Sequence, residues 1–229
     1  MMLDIYFDKL HITNLVELGK NMYLYPDLSY SLIINNEFIN RLQEEEPQIY
    51  AKFCELQEIE DDDEFIFKVS YLFCPYMSLR YRGYCFDKLS HLGEKMINFG
   101  PNIDIYLMDL IEKHLISYVA ELQGLNTITK EEYIAIKKAE RTYLTNPKEA
   151  YFSLAFELSK STILVYYDRA YINPKTFLEI MTCDANITKF ALDLSENEYF
   201  FAWLKYLKYD NHLKRYKNLV QFIEEREKK

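Results

Sequence analysis

Three stretches of this 229-residue chain carry residues whose types and spacing could do chemistry. The first is acidic: seven of the ten residues from Glu55 to Glu64 are carboxylates, densest at Glu58, Glu60, Asp61, Asp62, Asp63 and Glu64. Hard divalent cations want several carboxylate oxygens together. This run lacks the alternation and central Gly of a calcium loop, and consecutive side chains on a turn point in different directions. It reads as a solvated loop or as a helix N-terminus, where the macrodipole favours negative charge. If it recognises anything, the expected partner is another protein with a basic surface.

The second stretch interleaves cations with aromatics: Arg80, Tyr81, Arg82, Gly83, Tyr84, Phe86 and Lys88. Those are the ingredients of single-stranded nucleic-acid binding, in which bases stack and phosphates pair. Read as a helix, the same residues place Arg80, Tyr84 and Lys88 on one stripe, a solvated cationic edge over packed stems. The third stretch, from Trp203 through His212 to Lys217, is the most basic part of an acidic chain. Its apolar stripe of Trp203 and Leu207 is expected to pack inward, leaving Lys205, Lys208, Lys214, Arg215 and Lys217 outward for solvent or for RNA.

No other constellation stands out. His11, His91, His114 and His212 are too scattered to suggest a ligand set, and no His-x3-His pair occurs. Gly-x4-Gly-Lys-Ser/Thr, Gly-x-Gly-x-x-Gly and Gly-x-Ser-x-Gly are all absent, and with five Gly a phosphate-cradling loop is close to excluded. Cys54, Cys74, Cys85 and Cys183 show no Cys-x-x-Cys spacing and lie in apolar surroundings, as reduced buried cysteines do. The expectation is no catalytic residue, no metal and no cofactor.

The elements that would position these residues read as helices. Five Gly and six Pro are sparse punctuation, which favours long helices joined by short turns. Helix starts are signalled by Thr13-Asn14 with Glu17, Thr129 with Glu132, Asn146-Pro147, Asn173-Pro174 and Ser195 with Glu198. The stretch 65–73 is dense in Phe, Ile, Val and Tyr and fits a strand or a helix, with Asp63 as cap and Pro75 as stop favouring the helix. From Tyr76 to Phe99 the pattern is helical, bent at Gly83. From Ile103 to Leu122 an apolar stripe reads as one long helix ending at Gly124.

One passage is said twice. Leu15-x-x-Leu18-Gly19-Lys20-x-Met22, followed by Pro26-Asp27-Leu28 and Leu32, is echoed by Leu89-x-x-Leu92-Gly93-Glu94-x-Met96, followed by Pro101-Asn102-Ile103 and Leu107. An echo of this kind marks a supersecondary unit used more than once. It predicts two equivalent helix–Pro–helix hairpins, at 15–42 and 89–119, with Gly19 matching Gly93 and Met22 matching Met96. The fold class expected is therefore all-α: one compact domain over 1–229, of about eight to ten helices, helical-repeat-like.

Composition bounds function. A chain with 49% hydrophobic and 28% charged residues is a folded globular protein, and no apolar run reaches the length a membrane helix needs. The first residues do not read as a secretory signal, so the expected location is cytoplasmic. A net charge of −9 disfavours broad binding to nucleic acid or anionic membrane. The bias to Lys, Asn and Ile fits an AT-rich bacterial or phage genome. The reading reached is a non-catalytic binding protein: an acidic inhibitor or adaptor of immunity or anti-defence type, acting through protein–protein contacts. The alternative is an RNA- or DNA-associated protein using the 80–88 and 203–217 faces.

Overall fold

The computed structural model describes residues 1–161, 163–166, 169–171, 197–207 and 224–225. It is mostly helical, with eleven helices among the described residues. The chain gathers into two compact units. One comprises Met1–Asp87 with Lys113–Thr129, the other Lys88–Glu112 with Lys130–Lys229.

The first unit opens with a β-hairpin, β1 (Met2–Phe7) and β2 (Leu10–Asn14), paired antiparallel. Helices α1 (Leu15–Asn21), α2 (Pro26–Ile33), α3 (Asn36–Glu45), α4 (Pro47–Leu56) and α5 (Asp62–Phe73) follow. The caps explain the boundaries. The Asn14 side chain accepts from the Glu17 N–H at 2.9 Å, and the Glu17 carboxylate returns to the Thr13 N–H and hydroxyl at 2.8 and 2.7 Å. Pro26 and Pro47 stand at first helical positions, where the missing N–H costs nothing. The ambiguous 65–73 stretch is helical, and its cap is Asp61, two residues before the expected Asp63. All nine residues from Phe65 to Phe73 except Lys68 are buried, because α5 is enclosed by α1, α2, α4 and the later α8 (Leu115–Leu122). A helix hydrophobic on every side belongs in a core, and here its aromatics imitate a strand pattern.

The sequence between Tyr76 and Lys88 is not helical. Leu79–Tyr81 (β3) and Tyr84–Phe86 (β4) pair antiparallel across a two-residue turn, Arg82-Gly83, with φ of 48° and 84°. Left-handed conformation at both turn positions matches the twist of the strands. The buried Tyr71 of α5 clamps this hairpin: its hydroxyl donates to the Ser78 carbonyl at 2.6 Å and accepts from the Arg80 N–H at 2.9 Å. Burial raises its phenol above the ordinary range.

The second unit contains α6 (Leu89–Asn98), α7 (Ile105–Glu112), α9 (Lys130–Tyr143), α10 (Pro147–Ser159), a hairpin β5 (Leu164–Tyr166) and β6 (Arg169–Tyr171), and α11 (Glu198–Leu207). Here α10 is the enclosed helix, with α6, α7, α9 and α11 against it. Its cap, Asn146, accepts from the Glu149 N–H at 3.2 Å. The long helix expected over 103–122 is two helices. His114, with φ of 55°, breaks it, and α7 and α8 are assigned to different units.

The all-α expectation therefore stands in its coarse form, as a mostly helical chain, corrected by three two-stranded antiparallel sheets among the described residues. The helix start expected at Asn173-Pro174 lies outside the described residues.

Candidate functional site

The acidic run is not a solvated loop of equivalent carboxylates. From Asp61 onward it is the cap and first turn of α5, and the fold divides it in two. Asp61 accepts from the Glu64 N–H at 2.8 Å and takes the Lys113 ammonium at 2.7 Å. The Lys113 bond, with the capped N–H and the charge of Arg82, holds the Asp61 carboxyl below its usual range. Asp63 pairs with Arg82, and Glu64 pairs with Lys68 one turn along the helix at 2.6 Å. Three of the six carboxylates named above are thus neutralised where they stand. Glu58, Glu60 and Asp62 are exposed and have no ion pair among the described residues.

The cations of the second stretch are engaged in the same way. Arg80 sits on β3 with its guanidinium 4.7 Å from the Tyr23 ring, and its Nη1 donates to the Lys20 carbonyl at 3.5 Å. Arg82 occupies the hairpin turn against Asp63. Lys88 is exposed at the residue preceding α6. The helical stripe joining Arg80, Tyr84 and Lys88 does not exist, because strand geometry sends alternate side chains to opposite faces. In the third stretch, Lys205 reaches Glu149 of α10 at 3.0 Å. Trp203 and Leu207 are buried as expected. Lys208, Lys214, Arg215 and Lys217 lie outside the described residues.

Among the described residues no group of three or more His, Cys, Asp or Glu side chains is gathered as metal ligands. Cys54, Cys74 and Cys85 are free thiols. No helix of the described residues is long and apolar enough to cross a membrane.

Sequence reasoning singled out Gly19 and Gly93 but not the reason for them. Both are buried in their helices, α1 and α6. A Cβ on Gly19 would stand 2.6 Å from the Ser70 carbonyl oxygen of α5; one on Gly93 would stand 2.8 Å from the Ala155 carbonyl oxygen of α10 and closer still to the Ser159 nitrogen. Met22 and Met96 are both buried, at 0% and 1% exposure. The two passages differ downstream. Pro26 begins α2, whereas Pro101 lies in a turn and α7 begins four residues later behind Asp104, whose carboxylate accepts from the Tyr106 and Leu107 N–H groups.

No protein family, curated protein or solved structure matches this chain.

Proposed function

We propose that the protein is a non-catalytic binding protein, an acidic inhibitor or adaptor that meets a basic protein surface, built on a duplicated helical unit. The observation that carries the binding reading is the fate of the charges. Arg80, Arg82 and Lys205, the cations suited to phosphate, are held by partners of the same unit. Glu58, Glu60 and Asp62 are exposed, on a chain of net charge −9. Steering by such a surface favours cationic partners and repels phosphate.

Duplication is supported by more than the sequence echo. In each unit a buried helix starts at an Asx cap, and the carbonyl approached by the glycine lies nine residues beyond it: Asp61 to Ser70, Asn146 to Ala155. The backbone nitrogen approached lies thirteen beyond, at Cys74 and Ser159. A β-hairpin follows each buried helix, and a buried tyrosine hydroxyl holds each hairpin: Tyr71 on β3, and Tyr199, which accepts from the Val165 N–H at 2.8 Å.

The test is affinity capture from the native host with wild-type protein and with a Glu58→Lys/Glu60→Lys/Asp62→Lys variant. A basic protein retained by the first and lost from the second is the expected result. Capture of nucleic acid instead, released steeply by salt as phosphate contacts are, would establish the RNA/DNA alternative.

A further inference from the structure

Between α9, α10 and α11 the second unit has a hollow of about 560 Å³ that is open to solvent along Glu131, Lys138 and Glu157, within the range of ligand sites, roughly 300–1,000 Å³. Four alanines make the room: Ala135, Ala139, Ala150 and Ala202. Glu149, Ser153 and Glu157 of α10 stand one turn apart along one wall, and Glu131 and Lys138 of α9 face the same space. Lys205 is tied to Glu149 at 3.0 Å. The remaining charges are two carboxylates, Glu131 and Glu157, against one ammonium, Lys138. The Ser153 hydroxyl oxygen is buried in this lining and has no hydrogen-bond partner among the described residues. Burial, and after it the charge of Glu157, raises the Tyr206 phenol above its ordinary range, which places that carboxylate at the same wall.

Register with the first unit shows what has been removed. Counted from their caps, Ala150, Ser153 and Glu157 correspond to Phe65, Lys68 and Leu72 of α5. Phe65 and Leu72 are buried, and Lys68 lays its stem along the core, with its ammonium 2.6 Å from Glu64 and 5.6 Å from the Tyr118 ring centroid. The second unit replaces a ring, an alkylammonium and a leucine by a methyl, a hydroxyl and a carboxylate. By the same count Glu149 corresponds to Glu64, and the ammonium beside it comes from Lys205 of α11, so what the hollow lacks at Ser153 is the Lys68 stem, while Glu131 and Glu157 keep their charge.

We infer that this cavity is a binding site for a cation carried on an apolar stem, an alkylammonium or guanidinium whose charge is met by Glu131 and Glu157 and whose stem lies over the alanines. The chemistry is shared by a Lys or Arg side chain of a partner protein and by a free diamine. The site does not depend on the binding reading above: a chain that captures no protein still holds a diamine.

The test is titration with 1,5-diaminopentane, with the peptide acetyl-Leu-Arg-Leu-amide, and with glutarate as the anionic control, followed by calorimetry and by fluorescence of Trp203, the single tryptophan, next to Ala202. Diamine or peptide is expected to bind, glutarate not. A Glu131→Gln/Glu157→Gln variant is expected to lose about fivefold or more in affinity, as for two partly exposed ion pairs. Ser153→Lys, which restores the residue of the first unit, is expected to raise the melting temperature and abolish binding. Whichever cationic probe binds more tightly names the source. No binding by either cationic probe, equal binding of glutarate, or affinity unchanged in the double Gln variant overturns the inference.

Discussion

Asp61 shows how one side chain takes its role from the fold. Its carboxylate caps α5 and pairs with Lys113, so its ionised form is favoured in the folded chain. A carboxyl depressed by folding adds stability that is fully present above its unfolded value, about 3.9, and is lost as pH falls through the lower folded value. Asp61→Ala is expected to cost about 1 kcal/mol at pH 7, the worth of a cap. The ion pair adds little, because the Asp61 side chain is 44% exposed. Asp61→Asn keeps the acceptor and removes the charge. Urea midpoints of wild type and Asp61→Asn are expected to differ at pH 7 and to converge by about pH 2, below both values; a gap that persists in acid would remove the charge from the account. Tyr71 is the second such residue. Tyr71→Phe leaves the Ser78 carbonyl and the Arg80 N–H without their partner, at about 1–3 kcal/mol, and faster amide exchange at Arg80 is the signature that distinguishes hairpin release from general loosening.

At the scale of elements, α1 and α6 are each pressed against a buried helix at a glycine. Alanine is the better helix former by about 1 kcal/mol, so on an isolated α1 or α6 a Gly-to-Ala change would stabilise. Here the added Cβ meets backbone atoms at Ser70, or at Ala155 and Ser159, which have no freedom to move aside. Overpacking of this kind costs about 1–3 kcal/mol. Gly19→Ala and Gly93→Ala are both expected to lower the melting temperature, and a rise at either position would show that its helix does not make the close approach. The β3–β4 hairpin was illegible in the sequence for a local reason. Three-residue strands are too short for a period-2 pattern to emerge, and Arg82-Gly83 is a weaker turn signal than Asn-Gly. The helix starts at Asn14 and Asn146-Pro147 were legible because capping is a short-range interaction between residues three apart.

For the molecule as a whole, the distribution of charge decides more than its sum. The sequence offered one acidic stretch and two basic ones, and the fold ties charges of each within their own units: Asp63 with Arg82, and Lys205 with Glu149 of α10. What each face keeps for a partner is only its remainder. Arg80→Ala/Arg82→Ala is accordingly expected to leave the retention of a single-stranded oligonucleotide unchanged at physiological salt, measured by fluorescence anisotropy. A loss of binding with a flattened salt slope would transfer the function to the 80–88 stretch. The acidic remainder, Glu58, Glu60 and Asp62, was named from composition alone, but its separation from Asp61, Asp63 and Glu64 was not, since that separation depends on Lys113 and Arg82 arriving from elsewhere in the chain.

By itself the sequence determined the predominance of helix and the helix starts at Asn14 and Asn146-Pro147. These follow from interactions within a turn or two: caps, prolines, and apolar residues at helical spacing. Tertiary structure alone decided three things. It placed 65–73 as a core helix, because enclosure on every side erases the periodicity that would tell helix from strand. It broke the apolar stripe of 103–122 at His114, because the two halves bury their faces in different units. And it opened a charged hollow over Ala150 and Ser153, because space between helices is set by what all three neighbours leave unfilled.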